Sequence, residues 1–500
     1  MRTGSGIGPF GRRLATVAAL CFALAALTAA PALAAKPQAK KHPAKPNIAG
    51  RLDPTFGEGG KVTVAFPAEG GSEGEIKYNL PYQFTAGHLE MAAAPGGKVV
   101  VAGATKIVRF LANGRLDPSF GNGGEVRVPR PAGMNFVLAA VAVDNQGRVL
   151  LAGSARPMPV NSTPDPVISS AMIMRFTAAG APDPSFGKEG VVQTDFGFAP
   201  PKAAAGKPYP GPAVGIRSMV VDSQGRPIVS GGHVSELSDC RELGSLSTAF
   251  VARLTEAGAL DSTFGEGGVR TVTNVASFGQ LGATPAGGLL TLGNGGGYCN
   301  SEHEGNRGLK LASLSSAGNL EAGFGFSGFK AVSGVKAPVV AIAPSGKILL
   351  LGQPERVRRG KKSDKEQPLV RLLPNGAFDP SFGRIGQIGV LLPPDGSFSA
   401  LAVDATGRIV LAGRRAKRVS KSPHNPLRRS TFWIGRLTER GTFDRKFGKE
   451  GLVTTGFGGP SNTFATQVVM LSKGRMLVGG GISSPQLATG GGFAIAKYLR

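Results

Sequence analysis

One phrase returns seven times along this chain, and its spacing constrains the fold more than any other feature. It reads Gly50-Arg-Leu-Asp-Pro-Thr-Phe-Gly57, and its copies run through Gly114 to Gly121, Gly180 to Gly187, Gly258 to Gly265, Gly318 to Gly325, Gly376 to Gly383 and Gly441 to Gly448. Successive copies start 58 to 78 residues apart, a period at which near-equal units build solenoids or propellers.

Within each unit four apolar runs follow in the same order. After Asp379 they are Gln387 to Leu391, Ser399 to Val403, Arg408 to Ala412 and Thr431 to Leu437. Asp404-Ala-Thr-Gly407 joins the second run to the third, and Asp144 to Gly147 and Asp222 to Gly225 repeat the pattern. Asp opens such a turn by accepting a backbone hydrogen bond and Gly closes it at positive φ, so these are tight hairpins. Short β-branched and aliphatic runs between turns read as strands. The expectation is an all-β, seven-bladed β-propeller of four-stranded antiparallel blades over residues 50–500.

On this reading the phrase links the fourth strand of one unit to the first of the next. Phe56, Phe120, Phe186, Phe264, Phe324, Phe382 and Phe447 fill one slot, each followed by Gly. An always-aromatic slot is expected to be an inter-blade packing position. The acidic slot holds Asp53, Asp117, Asp183, Asp261, Asp379 and Asp444, with Glu321 in the remaining copy. Asp-Pro before Ser or Thr is turn chemistry. Calcium is the sharper alternative, but one carboxylate per loop falls short of six to eight oxygen ligands.

The Leu-Asp-Pro-Ser-Phe-Gly phrase, the Ala-Val-Asp-x-x-Gly-Arg hairpin and the Arg-Leu strand that follows resemble the bacterial delta-60 repeat, a propeller-type family of unknown function. The resemblance runs from Gly50 to Arg500 and is weakest at Leu320-Glu321-Ala-Gly-Phe324. It implies a propeller and secretion, and carries no catalytic residue. The last apolar run, Phe493 to Arg500, lacks a following phrase, and the one at Gly50 is expected to close the ring against it.

Ahead of the array, Arg12 and Arg13 precede an apolar run over residues 14–27 and then Ala32-Leu-Ala34, the layout of a secretory signal cleaved near Ala34. Residues 1–34 are therefore read as a signal peptide, with a single membrane anchor as the rival reading. Residues 35–49 are Lys-, Pro- and Ala-rich and read as a flexible basic linker. The mature chain is expected to be a monomer without a transmembrane segment, secreted or associated with the cell envelope. The formal charge of +25 and pI near 10.4 fit either an anionic partner or simple solubility.

Length variation concentrates in 65–88, 154–170, 195–215, 233–248, 294–308, 354–368 and 414–430, which an up-and-down blade places on one face. Variable loops on a rigid scaffold are where binding usually resides. Two neighbouring loops are strongly basic. One holds Arg356, Arg358, Arg359, Lys361, Lys362 and Lys365, the other Arg414, Arg415, Lys417, Arg418, Lys421, Arg428 and Arg429. An anionic wall polymer, an acidic polysaccharide or lipid headgroups would suit them. The competing reading is two solvated, disordered loops. Nucleic acid fits least, because stacking residues are missing.

Cys240 and Cys299 fall in two such loops of adjacent units and are a candidate disulfide, against two free thiols. His88, His233, His303 and His424 also lie in long loops, and none joins neighbouring acids in a recognised metal spacing. No nucleophile elbow, phosphate loop or His-Glu-x-x-His occurs, so neither catalytic residues nor a cofactor or metal site are assigned. The sequence leaves three readings: a binding scaffold acting through the long-loop face, a hydrolase or lyase whose site converges at the central channel, and a purely structural module that takes no ligand.

Overall fold

A computed structural model describes residues 49–66, 89–130, 133–157, 169–199, 214–237, 245–272, 275–295, 309–332, 335–336, 338–359, 362–419, 428–485, 487 and 491–500. Within the unit Asn47–Arg500 these form seven antiparallel sheets arranged as a ring, a seven-bladed all-β propeller. Blade 1 lies between residues 90 and 127, blade 2 between 134 and 194, blade 3 between 214 and 272 and blade 4 between 275 and 332. Blade 5 runs between 339 and 392 and blade 6 between 396 and 455. Blade 7 takes three strands from 462–498 and its fourth, Lys61–Ala65, from the start of the array. Among the described residues no helix is long and apolar enough to cross a membrane.

The first strands of neighbouring blades lie side by side around the whole ring, and the closing contact joins Asn462–Met470 to Glu90–Ala94. In blades 2, 3, 4, 6 and 7 the first strand carries a register shift at matching places, such as Leu138/Ala140 and Phe398/Ala400. A bulge sharpens local twist and re-aims side chains. Each apolar cluster spans two blades, so no blade owns a complete core. Phe120, Val100 and Ile107 of blade 1 pack with Phe136, Leu151 and Met174 of blade 2.

The strand frame differs by one position from the sequence expectation. Gln387–Leu392 pairs with Lys362–Leu372 and is the outer strand of blade 5, where it was expected to open the next unit. Blade 6 is completed instead by Leu452–Thr455 on Arg428–Leu437. The phrase therefore joins the third and fourth strands of a single blade. Four runs repeating in a cycle can be cut at any point without altering the pattern, so periodicity fixes their order but not which sheet each joins.

Ring closure uses the same phrase. Lys61–Ala65 pairs with Gly491–Tyr498 in the register Lys61↔Ala496 to Ala65↔Gly492. The Gly50 and Asp53 amides donate to Leu499 O at 3.1 Å and Lys497 O at 2.8 Å. Gly57 N–H reaches onward to Asn113 O of blade 1 at 2.7 Å. Deleting residues 50–60 removes those bonds and the buried Phe56. A thermal melt should then show a markedly lower Tm, whereas an unchanged Tm would contradict closure by this segment.

Candidate functional site

Two faces of the propeller are chemically different, and the phrase explains one of them. The Asp-led hairpin joins strands one and two of a blade and the phrase joins strands three and four, so both emerge on the same face. In blade 2, Asp183 Oδ1 accepts from the Ser185 amide at 3.1 Å and hydroxyl at 2.7 Å, which fixes the turn. Its Oδ2 accepts from Arg175 Nε at 2.8 Å. The Arg175 guanidinium lies 4.6 Å from the Phe186 ring centroid, donates from Nη2 to Ser185 Oγ at 2.9 Å and donates from Nη1 to Glu256 O of blade 3 at 2.5 Å. The next phrase residue, Gly187, sends its amide to Ala257 O of blade 3 at 2.9 Å.

This joint recurs around the ring. Arg109, Arg253, Arg371 and Arg436 take the same place against Asp117, Asp261, Asp379 and Asp444, and Lys497 does so against Asp53. The aromatic partners Phe120, Phe264, Phe382, Phe447 and Phe56 are fully buried, each under its cation. Arg109, Arg253, Arg371 and Lys497 also reach carbonyls of the next blade, at Ala178, Ser316, Glu439 and Ala112. Blade 4 departs in two positions at once: Ser313 stands where the arginine would be, and its hydroxyl donates to Glu321 Oε2 at 2.6 Å beside buried Phe324. The closing glycine is sterically required. At Gly121, φ is +55° and an added Cβ would lie 2.2 Å from Glu125 O. The cationic partner was not singled out from the sequence, although in the five arginine joints it stands eight residues before its Asp, as Arg175 Nε to Asp183 Oδ2 illustrates.

Asp53, Asp117, Asp183, Asp261 and Asp379 of the joint titrate low. Burial would raise Asp379, but bonds from Ser381 and the Lys347 and Arg371 charges outweigh it and hold the group at about 2. Burial likewise opposes, and bonds from Lys98 and Ser119 with the Arg109 charge overcome, the shift that holds Asp117 well below the carboxylate range. These groups stabilise the fold above about pH 4 and lose that contribution as pH falls toward 2.

At the central ring, Glu90 of blade 1 is partly buried and accepts from Gln467 Nε2 of blade 7. The Gln467 Oε1 atom is buried with no hydrogen-bond partner among the described residues. Burial pushes the Glu90 carboxyl up to about 7, partly offset by the Gln467 bond. Among the described residues no three His, Cys, Asp or Glu side chains gather as a metal-binding group. His233 is buried, stacks on Phe198 at 4.4 Å and bonds Ala199 O at 3.0 Å; burial lowers its pKa.

The basic segments lie at the opposite face and are largely strand, where loops were expected. Glu355–Arg359 pairs with the start of Lys362–Leu372, placing Arg356 opposite Lys365 and Arg358 opposite Ser363. In blade 6 the second and third strands continue outward as a two-stranded ribbon, with Arg415 opposite Thr431, Lys417 opposite Arg429 and Arg418 opposite Arg428. Backbone pairing does not stop at a charged side chain, so the ladder runs on through residues that composition alone marks as loop. Arg356, Arg358, Arg415, Lys417, Arg418 and Arg429 are exposed. Only the backbone of Arg359, Lys362 and Arg428 is described, while Lys361, Lys421, Cys240, Cys299, His88, His303 and His424 lie outside the described residues.

Glu90 yields a direct test. An unfolded carboxyl titrates near 4.3, so the raised folded value stabilises below that pH and is lost as pH rises through about 7. Urea unfolding should find E90Q more stable than the parent by about 1–3 kcal/mol at pH 8 and equal to it at pH 4. A difference independent of pH would contradict the assignment.

A family described as "Domain of unknown function (DUF5122) beta-propeller" matches residues 95–120. No curated protein matches the chain. Among solved structures, the polysaccharide lyase Uly1 is 9% identical at a TM-score of 0.45, over 88% of this chain and 99% of that one. An α-L-arabinanase of Penicillium chrysogenum, complexed with arabinobiose, is 11% identical at 0.34 over 74% and 98%. A protein of unknown function from Bacteroides caccae is 13% identical at 0.30 over 60% and 80%. At these identities and TM-scores the likenesses carry no argument about what this chain does.

Proposed function

We propose that this propeller is a binding scaffold whose strand-extension face takes up a polyanion. The observation that carries this reading is the blade 6 ribbon, where the exposed Lys417 stands opposite the exposed Arg429. Like charges directly opposite on a ladder destabilise it. A bound polyanion removes that repulsion, so the ribbon gains from its ligand what it loses alone. Blade 5 adds Arg356 and Arg358 in the neighbouring sector, and the chain carries +25 overall. Field from such a patch raises the local concentration of an anionic polymer and its on-rate. An acidic polysaccharide, an anionic wall polymer or lipid headgroups all present this chemistry, and secretion would bring the chain to any of them.

Column retention on immobilised polygalacturonate tests the proposal. The chain should be held at about 0.05 M salt and released near 1 M, where the Debye length falls to about 3 Å. Reversing R415E, K417E and R429E together should abolish retention while leaving the β-sheet circular dichroism intact. Retention that ignores salt or survives the reversal would refute it. Anionic vesicles in place of the polymer distinguish a lipid surface from a polysaccharide.

A further inference from the structure

Beside the ribbon, where blades 5, 6 and 7 meet, lies a polar cleft of about 570 Å³. That volume falls within the range of about 300–1,000 Å³ typical of small-molecule sites. Its lining is rich in short hydroxyls: Ser397 and Ser430 from blade 6, Ser483 from blade 7, and the Asn462 amide beside them. All four are partly buried. Asn462 is positioned by the Ser430 amide, which donates to its Oδ1 at 3.0 Å, and this leaves Nδ2 as a donor. The three hydroxyls have no hydrogen-bond partner among the described residues, and each can both donate and accept.

The charges at the rim set the kind of ligand. Among the described lining residues, Lys365 and Arg414 are cationic and Asp395 is acidic. Lys365 Nζ donates to Gly396 O at 2.8 Å and Pro394 O at 3.3 Å, so it is anchored at the rim and contributes its charge from a fixed place. A phosphate-rich ligand would face Asp395 with excess negative charge. A sugar ring with several hydroxyls and a single carboxylate matches both the hydroxyl lining and a rim that mixes cationic with acidic groups.

We infer that this cleft is a subsite for one uronic acid unit of an acidic saccharide. The inference rests on the polyanion reading and narrows it, because it names the monomer. Long polymer is gathered by the ribbon through charge, and one unit is read in the cleft through hydroxyl pairing. The alternation of the strand separates the two: Arg414 and Ala416 line the cleft, while Arg415 and Lys417 occupy the other side of the ribbon.

The protein carries its own reporter. Trp433 is the single tryptophan of the chain, and it packs beneath Gly396 of the cleft wall, where an added Cβ would lie 2.9 Å from its Cζ3. Titrating the full chain with trigalacturonate should give a saturable change in tryptophan emission, and neutral trigalactose should not. The S397A/S483A variant should bind the trimer about tenfold more weakly yet keep its salt-sensitive retention on polygalacturonate. The R415E/K417E variant should bind the trimer as the parent does. No emission change with intact polymer retention would overturn the cleft alone, as would S397A/S483A binding the trimer normally. Loss of both trimer binding and polymer retention in the parent would overturn the ribbon reading as well.

Discussion

The propeller depends on one repeated joint, in which a cation at the end of the third strand pairs with a phrase carboxylate, covers a phrase phenylalanine and bonds the next blade. Each part compensates for another. Burying Arg175 or Asp183 alone would leave a charge stripped of water, whereas the pair with its Ser185 and Glu256 bonds satisfies both groups. The ring beneath the guanidinium gains about 1.5–3 kcal/mol from burial. Because the joint links neighbours, the blades cohere through many such contacts around the ring.

Much of this was legible in the sequence, and the unreadable part has a physical cause. Seven aromatic-glycine slots announced buried packing positions, and Phe186 and its counterparts occupy them. The hairpin aspartates announced turns, and Asp404 indeed caps its own, through the Thr406 and Arg408 amides. The strand frame was not legible, because a cyclic order of runs does not mark which hydrogen-bonded neighbour each run chooses. Nor was the cationic partner, since arginine at the end of a strand looks like ordinary surface. Blade 4 held the clue: where Asp gives way to Glu321, the arginine gives way to Ser313. Two departures in one unit mark residues that touch.

The same division explains why function is sought on the opposite face. The joint and hairpin aspartates on the repeating face are committed to arginines and lysines within the fold, and Glu321 of blade 4 to Ser313. The strand-extension face carries exposed cations set opposite one another, Lys417 and Arg429, together with hydroxyls that find no hydrogen-bond partner among the described residues. The sequence pointed to this sector by charge alone. The ribbon and the cleft needed the register, which only the folded chain supplies.

The most direct measurement of the central claim is the unfolding free energy of R175M compared with R445M, an arginine whose pair with Glu450 is exposed. Urea denaturation should show R175M destabilised by about 3–5 kcal/mol, the scale for breaking a buried pair, and R445M by about 0–1 kcal/mol. Equal and small losses in both variants would contradict the claim that the joint holds the ring together.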